Sequence, residues 1–92
     1  MQPRVTIVTA TFNLIRAGRK DFFSQCIQSI KDQTFKDFEH LIIDGASTDG
    51  TIELLDNYAK QGLIRYISSP DRGMVDAMNK GIKEANGDLI LI

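Results

Sequence analysis

The chain has 92 residues with balanced charge, 11 basic against 12 acidic side chains and a formal net charge of −1 at pH 7, so its composition gives no reason to expect nucleic acid as a partner. It contains one cysteine, which excludes an internal disulfide, and no apolar run of about 18 residues that would cross a membrane as a helix. We therefore expect a single small domain in the cytoplasm, either free or peripheral to the inner face of the membrane.

The first half of the chain predicts a strand, a helix and a second strand. Val5–Ala10 is largely β-branched and free of Gly and Pro, which is typical of a buried parallel strand at the centre of a sheet. From about Asp21 to Asp32 apolar residues recur at helical spacing, and Cys26 in this stripe is interpreted as a buried core thiol. The run Phe38–Asp44 predicts the second strand, with His40 as a strand residue and not a catalytic base.

The second half continues the alternation of strands and helices. A helix from about Gly50 to Lys60 precedes a strand over Leu63–Ser68, whose alternating side-chain character is typical of a sheet edge. The next helix contains Met74 and Met78, interpreted as core filler, and a strip of small residues that lets it lie close to a neighbour. Asp88–Ile92 predicts a fourth, strongly apolar strand.

Together these elements predict an α/β fold: a Rossmann-like, three-layer open sheet that is mostly parallel, with four strands and three helices. A right-handed crossover places the first two strands side by side, so Thr11, Asp44 and Ser68 are expected to end at one edge. Ligands of open α/β sheets bind just beyond the carboxyl ends of the strands. The candidate site is therefore expected at this edge.

Two loops at that edge supply candidate ligand contacts. Asp44 ends the second strand, and Ser47 follows in a turn rich in glycine and hydroxyl groups. Thr11, Phe12 and Asn13 follow the first strand, and Asn13 is the first candidate among them. The alternatives are structural: the polar groups of the turn cap the following helix, Asn13 starts a turn and Phe12 plugs the core.

A third candidate segment runs from Asp71 to Asn79, at the start of the last predicted helix. Asp76 and Asn79 are i, i+3 neighbours that could face an active-site cleft, and Arg72 adds a cation beside them. The alternatives are a helix-capping role for Asp71 and a solvated charge at Arg72.

Several short motifs, in this order and spacing, resemble the amino-terminal part of family 2 glycosyltransferases. They are Val5–Val8 with Thr11–Asn13, Gln33–Glu39, Ile43–Thr51, Pro70–Gly73, Asp76–Gly81 and Gly87–Asp88. The similarity covers nearly the whole chain, and it implies the nucleotide-sugar-binding α/β fold called GT-A. Many members have two consecutive aspartates at the end of the second strand, whereas here Asp44 is followed by Gly45.

The resemblance implies transfer of a sugar, with inversion, from a nucleotide-diphosphate sugar to an acceptor hydroxyl, in cell-wall or polysaccharide biosynthesis. The acceptor, a glycan or a lipid-linked glycan, is not identified by the sequence. Three roles are hypothesised: Phe12 flanks the base, Asp44 accepts a hydrogen bond from the base, and Arg72 approaches the diphosphate. The full set of candidate nucleotide-sugar-binding residues is Thr11, Phe12, Asn13, Asp44, Ser47, Asp71, Arg72, Asp76 and Asn79.

The resemblance also implies a divalent metal, Mg²⁺ or Mn²⁺, held by an Asp-x-Asp type motif. That motif would follow the strand that begins at Asp88, so its ligands are expected beyond Ile92, and no catalytic or metal-binding residue is assigned within the chain. We accordingly expect residues 1–92 to be the nucleotide-sugar-binding part of a longer glycosyltransferase, inactive by itself.

Two further interpretations stay open. A non-catalytic nucleotide-binding or regulatory α/β module of flavodoxin-like type would carry similar carboxylates at its strand ends. Self-association through an exposed sheet edge is also predicted, because the fourth strand is apolar and no covering helix follows it in the sequence.

Overall fold

The computed structural model of the chain describes residues 3–32, 36–87 and 89–91. In these residues strands and helices alternate as β1 (Val5–Thr11), α1 (Lys20–Lys31), β2 (Phe38–Asp44), α2 (Thr51–Lys60), β3 (Arg65–Ser68), α3 (Met74–Glu84) and β4 (Leu89–Leu91). The strands form one parallel sheet in the order β3-β2-β1-β4. The predicted α/β fold, with four strands and three helices, is confirmed.

The strand order follows the predictions made for individual strands. β1 lies in the interior of the sheet between β2 and β4, and β3 forms an edge. Thr11 pairs in register with Asp44, and Asp44 with Ser68, so the carboxyl ends of three strands meet at one edge as predicted. The first three residues of the motif Gln33–Glu39 and the ends of the predicted last strand lie outside the described residues.

The sheet is covered on both faces, which makes the three layers that the sequence predicts. On one face α1 contributes Phe23 and α2 contributes Leu55 to a buried core that includes Ile42 of β2. On the other face α3 packs against Leu41 and Ile43 of the same strand. Because successive residues of a strand point to opposite faces, the apolar run of β2 serves both cores at once.

The helix α3 lies close to β1 because small residues face the sheet there. Ala77 is 2% exposed, and a Cβ atom added at the buried Gly81 would lie 2.5 Å from Cγ1 of Val8. The close approach predicted from the strip of small residues is confirmed. The two methionines differ, since Met78 packs partly buried against the core whereas Met74, in the first turn of α3, borders an open cavity and is largely exposed.

His40 lies within β2 as predicted, at the third position of the strand. It is buried, and its Nε2 lies 2.9 Å from Oγ1 of Thr9 on the neighbouring strand. Burial lowers the pKa of His40 to about 4, so the ring is neutral at pH 7. The interpretation of Cys26 as a buried core thiol is wrong: Cys26 is half-buried, because it lies at the margin of the apolar stripe, one turn from the exposed Phe22.

At the amino ends of the strands, Glu39 joins several elements. Its carboxylate accepts hydrogen bonds from Oγ1 of Thr6 (3.0 Å), the Arg65 guanidinium (3.0 Å), and the backbone N and side-chain Nδ2 of Asn86 (3.1 and 3.2 Å). Burial raises the pKa of Glu39, but the hydrogen bonds from Asn86, Arg65 and Thr6 outweigh that effect and hold the pKa below its usual value. This carboxylate therefore ties β1, β2, β3 and the turn after α3 together.

Candidate functional site

At the opposite edge, Asp44 organises the point where the strands end. It is 0% exposed, and four donors fill its two carboxylate oxygens. Oδ1 accepts from Oγ1 of Thr11 (2.8 Å) and Oγ of Ser47 (2.6 Å), and Oδ2 accepts from the backbone N of Ser47 (2.8 Å) and Oγ of Ser68 (2.9 Å). All four donors are uncharged. A carboxylate accepts about four hydrogen bonds, so this one has no acceptor position left over.

Asn13 ties the loop after β1 to the loop after β2. Its backbone N donates to Oγ of Ser47 (2.8 Å), and its Oδ1 accepts from the backbone N of Thr48 (2.9 Å). Asn13 (φ 47°) and Ala46 (φ 61°) both have left-handed backbone conformations, which asparagine tolerates through local hydrogen bonding. Asn13 is therefore a buried turn residue, the structural alternative left open by its sequence position.

Asp49 closes the same loop onto α2. Its Oδ1 accepts from the backbone N (3.1 Å) and Oγ1 (2.5 Å) of Thr51, and its Oδ2 accepts from the backbone N of Arg16 (2.7 Å). Desolvation raises the pKa of Asp49, but the hydrogen bonds from Thr51 and Arg16 outweigh it, and the pKa lies below its usual value. Asp49 therefore caps the start of α2, one of the alternatives predicted for the polar groups of this turn. Ser47 instead donates to Asp44.

A cavity of about 350 Å³ opens beside the network, between the ends of β1 and β2 and the first turn of α3. It is lined by Ala10, Thr11, Phe12, Gly45, Asp71, Gly73, Met74 and Ala77. Phe12 is 63% exposed and Met74 is 65% exposed, so both present accessible apolar walls, and the alternative of Phe12 as a core plug is wrong. A concave site of this size with apolar walls and few polar groups is typical of small-molecule binding.

Gly45 allows two side chains to converge in this cavity. A Cβ atom at this position would lie 3.1 Å from Oδ2 of Asp71 and 3.3 Å from Cδ1 of Phe12, tighter than ordinary van der Waals contact. Asp71 Oδ1 accepts from the backbone N of Gly73 (3.1 Å), whereas no hydrogen bond to Oδ2 is found among the described residues. The absence of a side chain at Gly45, where many family members have a second aspartate, therefore leaves room for the Asp71 carboxylate and the Phe12 ring to approach the same point.

Comparison with known proteins identifies the family. A family model described as "Glycosyl transferase family 2" matches residues 6–92. The chain belongs to this family. Its relatives include an uncharacterized glycosyltransferase of Mycobacterium tuberculosis, 35% identical over 89 residues that make up 96% of this chain and 32% of the relative. A PGL/p-HBAD biosynthesis glycosyltransferase of Mycobacterium bovis is 34% identical over 91 residues, 97% of this chain and 34% of the relative. The resemblance seen in the motifs is confirmed, and the chain spans about a third of the length of these relatives.

Solved structures of other glycosyltransferases share the fold of this family 2 chain. Mannosyltransferase PcManGT from Pyrobaculum calidifontis, in complex with GDP-Man and Mn²⁺, matches with a TM-score of 0.78 and 24% identity over 98% of this chain and 26% of its own. TarS 1-349 of S. aureus, in complex with UDP-GlcNAc, matches with a TM-score of 0.74 and 21% identity over 96% of this chain and 25% of its own. At these identities the likeness establishes the fold.

The structure of the family 2 chain brings part of the predicted site together. Thr11, Phe12 and Asp71 line the cavity. The predicted residues that lie buried in the hydrogen-bond network are Asn13, Asp44 and Ser47. Thr11 of the first group and Asp44 of the second are partners in the parallel pairing of β1 and β2, which the sequence predicts to be neighbours.

The other predicted residues of α3 and the loop before it, Arg72, Asp76 and Asn79, are not among the residues that line the cavity. Arg72 and Asn79 are exposed, and the backbone N of Arg72 donates to Oδ2 of Asp76 (3.0 Å). Conversely, Gly45 and Met74 line the cavity although neither was predicted as a site residue. The helical spacing of Met74 signals an apolar face but does not distinguish a core from a cavity wall.

Within residues 3–32, 36–87 and 89–91 there is no group of three or more His, Cys, Asp or Glu side chains that could hold a metal ion. In the same residues no helix is long and apolar enough to cross a membrane. The described residues therefore offer no such group to the divalent metal that the family implies.

Proposed function

We propose that this chain is the nucleotide-sugar-binding part of a glycosyltransferase that transfers a sugar, with inversion, from a nucleotide-diphosphate sugar to an acceptor hydroxyl. The observation that carries the proposal is the convergence of Phe12, Gly45 and Asp71 in a cavity at the carboxyl edge of a parallel sheet. Membership of family 2 supports it and favours it over a non-catalytic regulatory module. The nucleotide-sugar complexes of proteins with the same fold also support it.

In this proposal the nucleotide base lies between the apolar walls that Phe12 and Met74 present. An aromatic face is a sequence-tolerant platform for a base, and burial of the base against it removes apolar surface from water. Oδ2 of Asp71, directed toward Gly45 and Phe12, accepts a hydrogen bond from a base N–H. Because the acceptor is a carboxylate, this hydrogen bond is charge-assisted and discriminates against bases without an N–H donor at that position.

Asp44 has a different role in the proposal from the one hypothesised for it, a hydrogen bond to the base. Its two oxygens already accept from Thr11, Ser47 and Ser68, and it is fully buried. A contact with the base would require one of these donors to move away. We therefore assign the base contact to Asp71. Asp44 instead holds Thr11, which lines the cavity, and the loop after β2 in place.

The diphosphate is proposed to lie toward the exposed start of α3. Arg72 is exposed beside Asp71 and would supply a charge-assisted donor to phosphate oxygens. The exposed Asn79 on α3 is proposed to contact the sugar or the diphosphate. Asp76 on the same helix accepts a hydrogen bond from the backbone N of Arg72. In the family chemistry a carboxylate base deprotonates the acceptor hydroxyl and a divalent metal offsets charge on the diphosphate, and neither group is assigned to a described residue.

The proposal is tested by titrating the chain with GDP and UDP, and with their sugar conjugates, by calorimetry or NMR. We expect weak binding, with chemical-shift changes at Phe12 and Gly45, and little improvement on addition of Mg²⁺ or Mn²⁺ because the described residues hold no metal-ligand cluster. Asp71→Asn should weaken binding several-fold, since it removes the charge from the base-accepting group. Asp21→Asn, at an exposed carboxylate in α1, is the matched control and should leave binding unchanged.

Two results would contradict the proposal. One is the absence of any nucleotide-dependent shift at the cavity at millimolar ligand. The other is equal affinity of the wild-type chain and Asp71→Asn, which would remove the base-reading role of that carboxylate.

Self-association of the chain stays a prediction. Phe22 is 70% exposed on α1, and Ile82 is 49% exposed on α3, so the helix layers on both sides of the sheet present apolar surface. Size-exclusion chromatography with light scattering over a range of concentrations measures it, and a monomer at all concentrations would contradict it.

A further inference from the structure

The loop that carries Asp71 is fastened to α3 by two charged side chains. Lys80 Nζ donates to Oγ of Ser69 (3.1 Å) and to the backbone O of Pro70 (2.5 Å). One turn earlier on the same helix, Asp76 Oδ2 accepts from the backbone N of Arg72 (3.0 Å). The two helix residues therefore hold the loop immediately before and immediately after Asp71.

Of the three hydrogen bonds, the one from Lys80 to Ser69 is partly buried, whereas those to Pro70 O and to Asp76 are exposed. The side chain of Lys80 is 29% exposed and that of Asp76 is 37% exposed, and their charged ends lie 3.8 Å apart. An i, i+4 pair on a solvated helix contributes little by itself. Here the lysine donates to a backbone carbonyl and a hydroxyl of a neighbouring loop, so its removal detaches that side of the loop from α3.

A second i, i+4 pair in the chain offers a direct contrast. Lys60 and Asp56 on α2 lie 3.1 Å apart, with side chains that are 76% and 48% exposed. Among the described residues this pair makes no hydrogen bond to a loop. The difference between the two pairs lies in what Lys80 holds and not in the ion pair as such.

We infer that Lys80 and Asp76 are positioning residues, which set the orientation of the Asp71 carboxylate toward the nucleotide base. The inference rests on the proposed function and adds to it two residues that act on nucleotide binding through Asp71. Among the described residues, the Asp71 carboxylate accepts one hydrogen bond, from the backbone N of Gly73, which fixes Oδ1. The position of Oδ2 in the cavity then depends on the path of the loop, and that path is set from α3.

The first measurement needs no nucleotide. We expect Lys80→Met to raise the amide hydrogen exchange of Arg72 and Gly73 by about tenfold, because the loop loses its attachment on one side. Lys60→Met is the matched control and should leave both amides unchanged. Asp76→Asn, a second variant, should raise the exchange of Arg72 more than that of Gly73, since it weakens the acceptor of the Arg72 amide.

The second measurement is a double-mutant cycle with GDP and UDP as the probes. Lys80→Met should weaken binding several-fold in the wild-type background and have no further effect in an Asp71→Asn background, because its influence passes through that carboxylate. Lys80→Arg, which keeps a cation at the position, should restore part of the affinity. A merely structural loss of stability would weaken both backgrounds alike.

The outcomes separate the inference from the proposed function. Absence of nucleotide binding by the wild-type chain would overturn the proposed function and this inference with it. Wild-type binding with equal affinity in Lys80→Met, unchanged exchange of Arg72 and Gly73, or an equal effect of Lys80→Met in both backgrounds would overturn the inference alone.

Discussion

Two carboxylates on β2, five positions apart, hold the two ends of the sheet in different ways. Asp44 at the carboxyl end and Glu39 at the amino end each accept four hydrogen bonds. The donors to Asp44 are all uncharged and the carboxylate is fully buried. The donors to Glu39 include the Arg65 guanidinium, and its side chain is 16% exposed. The chain therefore uses neutral donors at the end that carries the candidate site and a charge pair at the other end, where Glu39 and Arg65 line a second cavity of about 450 Å³.

The difference has a physical consequence for the candidate site. A buried carboxylate held by neutral donors fixes Thr11 and the loop after β2 before any ligand arrives. A partly exposed pair with Arg65 is tolerant of water and contributes less to rigidity. The carboxyl end, where the fully buried Asp44 accepts four hydrogen bonds, is the end at which open α/β sheets bind ligands.

The largest expected effect is that of Asp44→Ala. This change leaves the hydroxyls of Thr11, Ser47 and Ser68 and one backbone N–H without their buried acceptor, so we expect a loss of about 3 kcal/mol or more in the free energy of unfolding. Urea denaturation measures it. Asp37→Ala, which removes an exposed carboxylate that accepts one hydrogen bond from Arg4, is the control and should lose less than about 1 kcal/mol. Similar losses of stability in the two variants would show that the buried hydrogen bonds of Asp44 contribute no more than the exposed one of Asp37.

Acid should lower the free energy of unfolding through His40, which is buried in the amino half of β2. Its folded pKa of about 4 lies below the usual value of 6.5, so the unfolded chain binds the proton more readily between these values. The stabilisation is complete above pH 6.5 and is lost as the pH falls toward 4, up to roughly 3 kcal/mol. The free energy of unfolding measured against pH should show this slope.

Replacement of His40 isolates its contribution, because the chain contains a single histidine. His40→Gln removes the titrating group, and its stability should vary little between pH 6.5 and pH 5. A slope in that range equal to that of the wild-type chain would assign the acid sensitivity to other groups.

Glu39→Gln should have a smaller effect than Asp44→Ala, about 1–2 kcal/mol at pH 7, because the amide keeps one acceptor oxygen and the site admits water. Since the folded pKa of Glu39 is lowered, its stabilisation is present above the unfolded pKa near 4.5 and is lost as the pH falls through the folded value. The variant should therefore lack that part of the acid slope. Glu53→Gln, at an exposed residue of α2, is the control. A larger loss in Glu39→Gln than in Asp44→Ala would reverse the comparison.

The smallest expected change in stability, about 1 kcal/mol each, belongs to Thr11→Val and Thr6→Val. Both remove a β1 hydroxyl that donates to a β2 carboxylate, one at each end of the strand. Thr11 lines the cavity, so Thr11→Val should also weaken binding of GDP or UDP, whereas Thr6→Val should not. Equal nucleotide affinities in the two variants would show that the network at the carboxyl end does not shape the site.

The sequence by itself determined the architecture and the edge at which the candidate site was sought. The predicted bounds of the second strand, Phe38–Asp44, are those observed, because an apolar run between two polar turns leaves little choice of register. Parallel strands joined by crossover helices must bring their carboxyl ends together, so the proximity of Thr11 and Asp44 follows from topology. The small residues of α3 likewise predicted its close approach to the sheet.

Only the tertiary structure decided what each polar residue does at that edge. Whether Asp44 faces a ligand or serves as an internal acceptor depends on distances to hydroxyls on three strands, and sequence spacing does not report them. The meeting of Gly45 with Asp71, and the reach of Lys80 back to the loop before α3, join residues that belong to different elements. Periodicity shows which face of an element is covered, but the pairing of side chains between elements is set by packing in three dimensions.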